Sequence, residues 1–122
     1  MWKNKPTVVI GASPNADRYS YKATISLQHH KHTVYPVGIK KGEINGLTLI
    51  TSLQFIDEVD TVTLYVGPDN QPYWIDYIIS LNPKRIIFNP GTENPEFQTL
   101  AESLGIEVLE ACTLVLLAIK EY

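Results

Sequence analysis

The sequence predicts a doubly wound, parallel α/β sheet, Rossmann-like and three-layered (α/β/α), with five to six strands. Three observations carry that expectation. Runs such as Thr7-Val8-Val9-Ile10 and Thr61 to Val66 are continuously β-branched or apolar, the pattern of strands buried on both faces. Segments of helical periodicity separate them, Pro72 to Leu81 being the clearest. Turn residues follow strand after strand, at Gly11, Gly38, Gly67-Pro68-Asp69 and Asn89-Pro90-Gly91.

Taken in order, Thr7 to Ile10 is the first and central strand, ending at Gly11. A turn-rich stretch from Ala12 to Tyr19 precedes a helix that Ser20 caps and that runs to about Lys31. Thr33 to Val37 is the second strand, with Pro36 marking its end. Leu47 to Ile50 reads as a short third strand, and Thr51-Ser52 as the cap of a small helix from Leu53 to Asp57. Thr61 to Val66 is the fourth strand, and Pro72 opens a helix with Trp74, Ile75, Ile78 and Leu81 on one face. Lys84 to Phe88 is the fifth strand and Pro95 to Leu104 a helix stopped by Gly105. Ile106 to Leu109 is a sixth strand, and an apolar helix from Thr113 to Lys120 closes the chain.

These elements use up 122 residues, so residues 1–122 are expected to form one domain with no room for a substrate domain. An enzyme with separate nucleotide-activating and catalytic domains would then need partner chains. Ten Lys and Arg against thirteen Asp and Glu give a net charge of −3, which argues against a charge-driven nucleic-acid binder. The lone Cys112 excludes an intramolecular disulfide and every multi-cysteine zinc pattern, and suits a reducing, cytoplasmic setting. The N-terminal Met-Trp-Lys-Asn-Lys-Pro lacks the apolar region of a signal peptide. Leu114 to Ile119, the longest apolar run, falls far short of the ~20 residues that span a membrane.

In doubly wound sheets ligands sit beyond the carboxyl ends of the strands. The first turn, Gly11 to Ser20, offers backbone N–H groups, the hydroxyls of Ser13 and Ser20, and the cation Arg18, a set suited to a phosphate. It is not the G-x-G-x-x-G fingerprint, since only Gly11 is present. The second turn lacks the acidic residue that reads a ribose 2′-hydroxyl. Lys40 and Lys41 stand there instead, which suits a nucleotide with an extra phosphate, NADP or coenzyme A, although a lysine pair can equally be solvated charge. No catalytic constellation is visible. His29, His30 and His32 fall at a helix C-terminus without carboxylate or thiol partners beside them, so no metal site is expected. Cys112 reads as a small hydrophobe more readily than as a reactive thiolate. Tyr73, Trp74 and Tyr77 have the spacing of core and helix surface.

Val9-Ile10-Gly11-Ala12-Ser13, Arg18 and Ser20, followed by Tyr35-Pro36-Val37, Lys40 and Ile44-Asn45-Gly46, resemble the motifs of the small CoA-binding family, which is similar to the CoA-binding domain of succinyl-CoA synthetase α subunits. The resemblance covers nearly the whole chain. Gly38-Ile39 stands where that family has Asn-Pro, Phe88-Asn89-Pro90-Gly91 where it has aromatic-x-Gln-x-Gly, and Glu110-Ala111 before Cys112 where it has Asp-Arg. It implies a cytoplasmic module for coenzyme A or an acyl-CoA, with Gly11, Ala12, Ser13, Arg18 and Ser20 at the pyrophosphate. Lys40 with Lys41 would meet the phosphorylated ribose, Pro36, Val37 and Gly38 would be further cofactor-binding positions, and Gly67, Asn89 and Gly91 would border the pantetheine. The alternatives are an NADP-dependent oxidoreductase domain and a subunit of an acyl-CoA synthetase working with partner chains. A protein partner or a homodimer fits any of the three.

Overall fold

The computed structural model describes residues 2–122; Met1, the first residue of the N-terminal segment read above, lies outside the described residues. Four-residue strands β1 (Thr7–Ile10), β2 (Val34–Val37), β5 (Thr61–Leu64), β6 (Arg85–Phe88) and β7 (Glu107–Glu110) form one parallel sheet in the order β2-β1-β5-β6-β7. The three inner strands are buried along their whole length, as continuous apolarity predicts. Helices α2 (Pro72–Ser80) and α3 (Pro95–Ser103) cover one face, where Trp74, Ile78, Phe97 and Ala101 meet Val8, Ile10, Val62, Leu64, Ile86 and Phe88. The other face carries α1 (Tyr19–His29) and the short α4 (Thr113–Ala118), with Leu27 and Leu117 packed near Val9 and Val34.

Three expectations are corrected. Leu47 to Ile50 is not a strand of the main sheet. Glu43–Ile44 (β3) and Leu47–Thr48 (β4) instead form a small antiparallel hairpin about Asn45-Gly46, whose φ values of 45° and 86° are those that a two-residue hairpin turn requires. Only Ile50 reaches the main sheet, as a single parallel bridge to Val37: its N–H donates to the Pro36 carbonyl (2.8 Å) and its carbonyl accepts from Gly38 (3.0 Å). Leu53 to Asp57 forms no helix. Five residues offer too few hydrogen bonds to offset helix nucleation, and the segment is held instead by burial of Ile56 and Val59 and by the Tyr77 hydroxyl, which donates to the Gln54 carbonyl (2.8 Å). Ser20 is not a cap: α1 starts at Tyr19, Arg18 is its N-cap, and Ser20 lies buried in the first turn.

The turn from β1 leads to β2 on one side, and the chain then crosses to β5 on the other. The order of connection therefore reverses between β1 and β5, which opens a crevice at their carboxyl ends.

Candidate ligand cleft

A cleft of about 770 Å³ occupies that crevice. Its walls come from the tips of four strands: Gly11, Ala12 and Ser13 after β1, Ile39 and Lys40 after β2, Tyr65, Val66 and Gly67 after β5, and Pro90, Gly91 and Thr92 after β6. Arg18, Tyr19 and Ser20 from the start of α1, and Asn70, Tyr73 and Trp74 from the approach to α2, complete it.

The β1–α1 turn is wedged between its neighbours. Gly11 has φ +91°, and a Cβ there would stand 2.8 Å from Cγ2 of Val66. The N–H groups of Gly11 and Ala12 both donate to the Val37 carbonyl at 3.0 Å, so they shape the turn and are not free for an anion. The donors available lie further along. Ser13 Oγ accepts from the Asn15 N–H (3.1 Å), which leaves its own O–H to donate outward. In α1 the first intrahelical bond at the N-terminus is that of Lys22 to the Arg18 carbonyl (3.2 Å), and no side chain caps the N–H groups before it. A helix end with open N–H groups and an arginine beside it favours a bound anion.

The far wall is tied down by Gln71, which is fully buried. Its Nε2 donates to the carbonyls of Val66 (2.9 Å) and Thr92 (2.7 Å), and its Oε1 accepts from Asn94 Nδ2 (2.8 Å). One side chain thus locks the turns after β5 and β6 to each other and to the N-cap of α3. Tyr65 lines the cleft with its hydroxyl buried and unpartnered, and burial pushes that hydroxyl well above the ordinary tyrosine range.

The family model described as CoA binding domain matches residues 5–118. The chain belongs to that family. Among solved structures, this CoA binding domain is 48% identical to an uncharacterized protein, over 98% of this chain and 99% of the other, with a TM-score of 0.96. It is 27% identical to a hypothetical protein from Pyrococcus horikoshii OT3, over 93% of this chain and 81% of that one, at a TM-score of 0.83. It shares its fold with the dinucleotide-forming acetyl-coenzyme A synthetase 1 of Ca. Korarchaeum cryptofilum, solved with phosphate and ADP. There the identity is 23%, over 88% of this chain but only 26% of that one, and the TM-score is 0.70. No curated protein matches the chain.

Of the residues that the sequence singled out, the CoA binding domain brings Gly11, Ala12, Ser13, Arg18, Ser20, Lys40, Gly67 and Gly91 to the cleft. The others stand behind or beside its lining. Val37 is fully buried in β2, and Pro36 is paired with Val9. Gly38 is the point where the β1–α1 turn leans on the end of β2, and a Cβ there would lie only 2.1 Å from the Ala12 carbonyl oxygen. Lys41 is exposed outside the lining. Asn89 is buried with its amide already engaged, donating to Thr63 Oγ1 (2.8 Å) and the Leu64 carbonyl (2.9 Å) and accepting from the Thr113 N–H (2.9 Å). It joins β6 to β5 and to the start of α4. Gln71, Tyr65, Tyr73 and Thr92 are among the residues that the sequence did not mark for this site. Gln71 directly before Pro72 was the available signal, since a residue at a helix entry sits beside the preceding strand tips.

His29 ends α1 and His30 follows as its C-cap, with His30 Nδ1 2.7 Å from the Ser26 carbonyl. Nδ1 of His32 accepts the Lys5 N–H (3.0 Å), and the ring lies between Trp2 and Tyr122. Among the described residues no group of three or more His, Cys, Asp or Glu is placed to hold a metal ion. Cys112 is half-buried at the N-cap of α4, and no helix is long and apolar enough to cross a membrane among the described residues.

Proposed function

We propose that this chain binds coenzyme A or an acyl-CoA in the cleft at the β1–β5 crevice, as a small binding protein without a catalytic constellation of its own. The carrying observation is the convergence there of Arg18, the uncapped start of α1 and Lys40, in a chain of the CoA binding domain family. Arg18, the Ser13 hydroxyl and the first N–H groups of α1 hold the pyrophosphate. Lys40 meets the phosphorylated ribose, and the exposed Ile39 beside it offers an apolar face to the base. The pantetheine crosses the tip of β5 at Gly67 toward Gly91.

Thermal shift with CoA, acetyl-CoA, NADP and NAD tests this reading. A ligand at 100 times its dissociation constant stabilises a protein by about 2.7 kcal/mol, a readily measured rise in Tm. CoA and its thioester are expected to give that rise and the nicotinamide nucleotides none. Arg18→Ala is expected to weaken CoA binding about tenfold or more, since a charge-assisted hydrogen bond is worth roughly 1.5–3 kcal/mol, while Tm without ligand stays unchanged. A response to NADP alone, or to none of the four, overturns the proposal.

A further inference from the structure

The lining of the cleft divides by chemistry along its length. Its cations, Arg18 and Lys40, stand toward the tips of β1 and β2. Beyond the tip of β5 the lining includes Val66, Asn70, Tyr73, Trp74, Pro90 and Thr92 and holds no Lys, Arg, His, Asp, Glu or Cys; the Glu93 carboxylate, outside the lining, is engaged by the Gly91 N–H (2.8 Å). A ligand that fills both halves is therefore anionic at one end and uncharged at the other, where Val66, Tyr73, Trp74 and Pro90 offer apolar surface.

The apolar end is built and held. Trp74 is nearly buried in the α2 face of the core, and the ring of Tyr73 meets it edge-on, with centroids 4.9 Å apart and planes at 90°. Tyr73 itself keeps 62% of its surface exposed, an aromatic ledge fixed on one side and open on the other. Gln71 directly before it ties this helix entry to the turns after β5 and β6, so the ledge does not depend on a mobile loop.

Neighbouring parallel strands lie roughly 4.8 Å apart, so the four tips from β2 to β6 span about 14 Å. A CoA whose phosphates are held at β1 and β2 carries its pantetheine across β5 and delivers its sulfur to this wall. A free thiol is small and gains little from an aromatic ledge. An acyl chain on that sulfur adds apolar surface where the wall can cover it.

We propose that the cleft prefers an acyl-CoA thioester with an uncharged, apolar acyl group to free CoA, and that Tyr73, backed by Trp74, is the specificity-determining residue. This rests on the CoA reading above and deepens it.

Calorimetry of the full chain with CoA, acetyl-CoA, butyryl-CoA and hexanoyl-CoA tests it. On a wall open to solvent on one side each added methylene is expected to tighten binding about twofold, against about fourfold for full burial. Tyr73→Ala is expected to flatten the series, so that hexanoyl-CoA binds no more than about twofold tighter than acetyl-CoA. Equal affinity for all four ligands, weakening with chain length, or a chain-length gain that survives Tyr73→Ala overturns this inference and leaves CoA binding intact. Failure of all four to bind overturns the CoA reading and the inference with it.

Discussion

Gly38 has no room for a side chain because the Ala12 carbonyl oxygen occupies the place of its Cβ, 2.1 Å away in ideal geometry. The contact sets the position of the whole β1–α1 turn, and through it Ser13 and Arg18. Gly38→Ala is expected to cost about 1–3 kcal/mol of overpacking, a fall of roughly 5–15 °C in Tm, and to weaken CoA binding as well. An unchanged Tm would show that the turn yields freely. His32 belongs to the same scale. Burial, then the nearby Lys5 ammonium, holds its pKa below the ordinary value of 6.5, and its Nδ1 must stay unprotonated to accept the Lys5 N–H. The unfolded chain then binds a proton more readily than the folded one. This contribution to stability is complete above about pH 6.5, is lost as the pH falls below that value, and stops changing below the folded pKa. Urea unfolding between pH 7.5 and 5 is expected to show the decline, and His32→Gln to reduce it; an identical slope in the variant would count against the assignment.

At the scale of elements, Gln71 ties the turns after β5 and β6 to the start of α3. Its amide satisfies the carbonyls of Val66 and Thr92 together and accepts from Asn94. Gln71→Leu keeps the volume and removes the partner of one buried carbonyl, Thr92, and of two half-buried groups, the Val66 carbonyl and the Asn94 amide, at a cost of about 2–4 kcal/mol in urea unfolding. A loss under ~1 kcal/mol would mean that water replaces the bonds. The strands and the longer helices were legible because continuous apolar runs and 3.6-residue periodicity are properties of the local chain. The hairpin was missed although Asn45-Gly46 signals one, because Leu47 to Ile50 also has the composition of a buried strand, and composition does not reveal the pairing partner. The helix expected from Leu53 failed for a similar reason: a cap needs a helix long enough to repay nucleation.

For the whole molecule, residues 1–122 are proposed to be one cooperative unit. Two cores share the sheet, one under α2 and α3 and one under α1 and α4, and β1 and β2 contribute side chains to both. Thermal unfolding followed by tryptophan fluorescence and by far-ultraviolet circular dichroism is expected to give one coincident transition. Two separated transitions would divide the domain. The net charge of −3 is compatible with a polyanionic ligand, because Arg18 and Lys40 line the same cleft beyond the carboxyl ends of the strands. By itself the sequence determined the parallel α/β class, most element positions, and the family, since each follows from local periodicity or from motifs in order along the chain. Only the tertiary structure decided which of the marked residues face the cleft. Val37, Gly38 and Asn89 became supports while Tyr73 and Thr92 became walls, because the free surface at a strand tip is set by neighbouring strands that the chain reaches only after crossing the sheet.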